Sequence, residues 1–114
     1  MSKITTHILD TTKGKPAQGV IIIFYGGEND EWIELARGKT NADGRIADLL
    51  DKDDPLHFGI YKMRFETKDY YDKDRIKTFY PYVEIIFEIE SGRHYHIPLL
   101  LNPFGYSTYR DHNC

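Results

Sequence analysis

Polar and apolar residues alternate over short stretches through most of this chain. In residues 3–10, Ile4 and Ile8 fall on one side, with Lys3, Thr5 and His7 on the other and Leu9 out of pattern. Residues two apart on a strand share a face, so such alternation predicts a half-buried β-strand. Residues 20–25 form a continuous apolar run, read as a buried strand. A strand around Trp32, Ile33 and Leu35 spans 31–39, and a short one fits 45–48. In 59–67, Tyr61, Met63 and Phe65 alternate with Ile60, Lys62, Arg64 and Glu66. Val83, Ile85, Phe87 and Ile89 alternate in the same way with Glu84, Ile86, Glu88 and Glu90. The segment 94–101, HYHIPLLL, puts Tyr95, Ile97, Leu99 and Leu101 on one face and His94 and His96 on the other. A last strand is expected over 106–110.

Turn chemistry separates these runs. Lys13-Gly14-Lys15-Pro16, Gly26-Gly27-Glu28-Asn29-Asp30, Asn41-Ala42-Asp43-Gly44, Ser91-Gly92 and Asn102-Pro103-Phe104-Gly105 each read as turns, and 51–55 as a polar loop. Residues 68–77 lack a period of two and have room for one or two helical turns. About eight short strands with little helix predict an all-β protein, an antiparallel two-sheet sandwich. The 114 residues suit one domain over 1–114. A chain of this length buries roughly 65% of its unfolded surface, enough for a core without disulfides.

Composition narrows the function classes. Nine Tyr and six Phe suit strands. The net charge of −3 comes without a dense basic patch, which argues against nucleic acid as a partner. No apolar run approaches a membrane span, and MSKITTHILD has no signal-like apolar core, so the expectation is a cytoplasmic protein with no membrane partner. The one cysteine, Cys114, cannot close an internal disulfide.

Candidate chemistry rests on histidine and arginine. His7 sits on a polar strand face, His96 lies opposite Tyr95, Ile97 and Leu99, and Arg45 leaves the Asp43-Gly44 turn. Taken singly, each has an ordinary reading as a solvated surface residue. His94 and His96, two apart, can chelate a metal, although such sites usually add a carboxylate or a third histidine. No nucleophile elbow surrounds Ser2, Ser91 or Ser107, and Gly26-Gly27 lacks the helix and lysine of a phosphate loop. The simplest enzyme here would use histidine acid–base chemistry on water, with arginine offsetting negative charge.

Five segments together resemble the transthyretin-related 5-hydroxyisourate hydrolases: THILD (6–10), GKPAQGV (14–20), TNADGRI (40–46), HYHIPLLL (94–101) and NPFGYSTYR (102–110). Residues 67–87 are also similar, as a short helix followed by Phe-Tyr-Pro and a strand. The resemblance implies an eight-stranded transthyretin-like sandwich with one short helix. It implies a homotetramer with active sites at the dimer–dimer interface, acting without a cofactor or metal. The implied reaction is hydrolysis of 5-hydroxyisourate to 2-oxo-4-hydroxy-4-carboxy-5-ureidoimidazoline. By the same resemblance His7, Arg45 and His96 are catalytic, and Tyr109 and Arg110 bind substrate along with His7 and Arg45. The alternative is a non-catalytic transthyretin-like carrier of a small aromatic ligand. One departure stands out: the family usually ends Tyr-Arg-Gly-Ser, whereas Asp111 and His112 follow Arg110 here.

Overall fold

The computed structural model of the protein describes residues 4–46, 48–50, 56–90 and 93–110. Among these, nine strands and one helix follow in the order β1 (Ile4–Asp10), β2 (Lys15–Pro16), β3 (Ile21–Glu28), β4 (Glu31–Lys39), β5 (Arg45–Ile46), β6 (Gly59–Phe65), α1 (Thr67–Asp72), β7 (Val83–Ile89), β8 (Tyr95–Asn102) and β9 (Gly105–Thr108). One sheet runs β2-β1-β8-β9, with β5 also on β1; the other runs β4-β3-β6-β7. The expected two-sheet sandwich with one short helix is therefore present. The ninth strand is β2, two residues of the expected 13–16 turn. Gly14, at φ +66°, reverses the chain so that Lys15 and Pro16 pair with Asp10 and Leu9.

Two expectations change. The turn at 26–30 shrinks to two residues. β3 continues through Gly26 and Gly27 to Glu28, and Asn29 and Asp30 alone turn, at φ 53° and 65°. Positive φ at both central positions fits the hairpin turn whose twist matches its strands. The larger change is that β1 and β8 run parallel, in register from Ile4 beside Tyr95 to Asp10 beside Leu101. The other strand pairs are antiparallel, as expected. Parallel neighbours need a crossover, and the chain between β1 and β8 supplies one by building the second sheet. The expected last strand, 106–110, forms over Gly105–Thr108. The loop at 51–55, the turn at 91–92 and the ending with Asp111, His112 and Cys114 lie outside the described residues.

The alternation read from the sequence becomes the core. Ile4, Ile8, Phe24, Met63, Phe65 and Leu99 are fully buried between the sheets. Each such side chain contributes about 1.5–3 kcal/mol relative to exposure. Phe24, Tyr61 and Phe87 stack across β3, β6 and β7, with centroids 5.4–6.4 Å apart. β4 is an edge strand, and Trp32, Ile33 and Leu35 remain exposed there. The ring of Trp32 nevertheless covers the Lys62 ammonium, which lies 4.8 Å from it and 4.7 Å from Tyr25. Among the described residues no helix is long and apolar enough to cross a membrane.

A buried carboxylate ties the helix to the end of β1. Asp10 is fully buried; its Oδ1 accepts the backbone N–H groups of Thr12 and Lys13, both at 3.1 Å. Its Oδ2 accepts the Tyr70 hydroxyl at 2.9 Å. Burial, followed by the neighbouring carboxylate, pushes the Tyr70 phenol up to about 12, so it stays a donor at any ordinary pH. This contact holds the last residue of β1 against α1. Tyr70→Phe leaves one oxygen of a buried carboxylate without its donor. The expected loss is about 1–3 kcal/mol, read as a lower thermal-unfolding midpoint; an unchanged midpoint would show that Asp10 does not need this bond.

Candidate active site

His7 and Arg45 meet because a tight turn returns the chain to β1. Asn41 organises it: its Oδ1 accepts the N–H groups of Asp43 and Arg45 at 2.9 and 3.1 Å. Its backbone carbonyl accepts the N–H of Gly44 at 2.9 Å. Gly44 adopts φ +70°, and a Cβ there would lie 2.5 Å from the Ile8 carbonyl oxygen. Only glycine permits this approach, in which the Ile8 N–H donates to the Gly44 carbonyl at 2.8 Å. β5 then pairs with β1, placing Arg45 directly opposite His7. Directly opposed residues project from the same face.

The parallel pairing brings β8 to the other edge of β1. Thr5 lies beside His96, and His7 beside Pro98. Thr5, His7 and His96 thus share the outer face of their sheet. Strand spacing and rise put the His7 and His96 backbones about 8 Å apart. Thr5 is 6% exposed, and its Oγ1 lies 2.8 Å from both His94 Nε2 and His96 Nδ1. His7 and His96 are half-buried, and Arg45 is exposed.

Burial holds the His7 imidazole below its usual pKa, and the nearby Arg45 charge lowers it further. A hydrogen bond to the Asp43 backbone and the Asp43 carboxylate pull the other way. The net effect keeps His7 neutral at neutral pH, with a lone pair able to accept a proton.

Tyr109 and Arg110 lie at the sheet edge instead. With His94, Tyr95 and His96 they line a cavity of about 340 Å³, which reaches Phe87 of the facing sheet. The Arg110 guanidinium lies 5.4 Å from the Tyr95 ring centroid. His7 and Arg45 do not line this cavity. His94 and His96, both in contact with Thr5, link the cavity to the outer face.

The HIUase/Transthyretin family model matches residues 4–111. This chain belongs to that family. The 5-hydroxyisourate hydrolase of Mus musculus is 42% identical over 112 residues, covering 96% of this chain and 94% of its own. Among solved structures, Klebsiella pneumoniae 5-hydroxyisourate hydrolase superposes with a TM-score of 0.82 at 37% identity, over 95% of this chain and 97% of that one. Sea bream transthyretin in complex with thyroxine gives 0.87 at 34% identity, over 96% and 94%.

In this HIUase/Transthyretin member the residue that sequence reasoning passed over is Thr5. Alternation put it on the face of His7, but its place between His94 and His96 depends on the parallel pairing. The pair suspected of chelation is bridged by a hydroxyl. Among the described residues no group of three or more His, Cys, Asp or Glu is placed to hold a metal.

Removing the Arg45 charge tests the electrostatics. Arg45→Gln deletes a cause that lowers the His7 pKa, so the value should rise, with burial and Asp43 still opposing each other. Histidine NMR titration reads this directly; an unmoved or lower value would mean that Arg45 does not act on His7.

Proposed function

We propose that this protein hydrolyses 5-hydroxyisourate to 2-oxo-4-hydroxy-4-carboxy-5-ureidoimidazoline. The observation that carries the reading is the shared outer face, where β5 and β8 bring Arg45 and His96 to the two sides of His7 and Thr5. Relatives that carry the hydrolase name over nearly the whole chain support it.

The geometry suggests a division of labour. Neutral His7 takes a proton from water as its oxygen adds to the ring carbonyl. Arg45, always charged, stabilises the resulting oxyanion. The amide C–N bond then breaks, and the His7 imidazolium returns its proton to the departing nitrogen. His96 hydrogen-bonds the substrate through Nε2, the ring nitrogen not engaged by Thr5. Tyr109 and Arg110, beside His96 at the sheet edge, bind the anionic substrate. No step calls on a cofactor.

A half-open sheet face excludes water only when something covers it. We infer a homotetramer in which a second pair of subunits covers this face by closed symmetry, with the active sites at the dimer–dimer interface. The chain then works as one transthyretin-like domain in the cytoplasm, on a small purine-derived molecule.

One observation favours a second reading, a carrier of a small aromatic ligand: the superposition on transthyretin holding thyroxine. Freshly generated 5-hydroxyisourate separates the two. The hydrolase should accelerate its decay, His96→Ala should lower kcat by about 100-fold or more, and both proteins should elute at the mass of four chains. Thyroxine binding with no acceleration of decay would replace the hydrolase by the carrier.

A further inference from the structure

The Thr5 hydroxyl joins two histidines but has only one proton. Its two contacts are His94 Nε2 and His96 Nδ1, each at 2.8 Å. A hydroxyl donates once and accepts through its lone pairs. At 6% exposure the side chain has little access to water as an alternative partner. Its proton therefore points at one ring, and the other ring donates to its oxygen.

We propose that Thr5 is a positioning residue that locks the tautomers of His94 and His96 together. This rests on the reading of His96 as a catalytic residue, and it adds a determinant of how His96 meets substrate. Two arrangements satisfy all three groups when both rings are neutral. In one, Thr5 donates to His94 Nε2 and His96 donates from Nδ1; both rings then carry their proton on Nδ1, and His96 presents a bare Nε2. In the other, His94 donates from Nε2 and Thr5 donates to His96 Nδ1; both rings carry their proton on Nε2, and His96 presents an N–H. The two rings thus always hold the same tautomer. Through Thr5 the tautomers of His94 and His96 set each other, and with them whether His96 offers an acceptor or a donor. Without the hydroxyl, nothing at Thr5 ties the His96 tautomer to that of His94.

The backbone makes the arrangement rigid. The parallel register sets Thr5 beside His96, and the neighbouring Thr6 hydroxyl donates to the Ile97 carbonyl at 2.5 Å, tying the same two strands. The centroids of the His94 and His96 rings are 6.5 Å apart, leaving space between them for one oxygen.

Nitrogen NMR of histidine-labelled intact protein at about pH 8, where an ordinary imidazole is neutral, reads the tautomers without any assay. The expected result is one shared tautomer for His94 and His96. Opposite tautomers would overturn the proposal. Thr5→Val keeps the branched shape and removes the hydroxyl. The His96 tautomer should then change its population, no longer tied to that of His94, and kcat should fall by about tenfold or more with KM little changed. Thr5→Ser, which restores the hydroxyl, should recover most of the loss. A valine variant with unchanged tautomers and kcat, or a serine variant as slow as the valine one, would also overturn it. Wild-type protein that shows the shared tautomer but does not hydrolyse 5-hydroxyisourate would retain the coupling and refute the hydrolase reading instead.

Discussion

The parallel pairing of β1 with β8 is the constraint on which the rest depends. It joins the two ends of the chain along seven consecutive residues of each strand, from Ile4 and Tyr95 to Asp10 and Leu101. Every other strand contact could form as an antiparallel neighbour, but this one needs the second sheet as its crossover. Its register decides two things together. On the inner side it buries Ile4, Ile8, Leu99 and Leu101 in the core. On the outer side it sets Thr5 beside His96 and His7 beside Pro98. A slip of one residue would invert both faces, exposing the apolar set and burying the histidines. The burial that stabilises the fold therefore also fixes the site.

The other edge of β1 is held more locally. A turn that only glycine can make brings Arg45 opposite His7, and Asn41 closes that turn with its own side chain. The resulting electrostatics are lopsided. His7 has a cation beside it and partial burial, both of which disfavour imidazolium. His96 has a neutral hydroxyl against Nδ1. Two histidines of one unperturbed chemistry thus meet different environments, and such a difference is how similar groups come to serve different roles.

Much of this was legible in the sequence, and the reasons are local. Period-two alternation exposed β1, β6, β7 and β8, because each has one face on the core. The Asn41-Ala42-Asp43-Gly44 turn was evident from residues that make few other structures. The motifs HYHIPLLL and NPFGYSTYR carried the family. What alternation could not carry was pairing across long sequence separations. The parallel sense of β1 and β8, and with it the place of Thr5 between two histidines 89 and 91 residues away, depends on both strands at once. The Gly26-Gly27 pair misled for a related reason. Glycine usually marks a turn, but here it allows close approach inside a strand, where a Cβ on Gly27 would lie 3.1 Å from the Ile60 carbonyl oxygen.

Hydrolysis by this site requires His7 and His96 to act on one substrate at one face. A double-mutant cycle on the intact protein tests it most directly: kcat/KM for 5-hydroxyisourate hydrolysis by wild type, His7→Ala, His96→Ala and the double variant. Residues that act as a unit are strongly non-additive. The double variant should be scarcely slower than the slower single one. Losses that multiply would contradict it, placing the two histidines in independent roles.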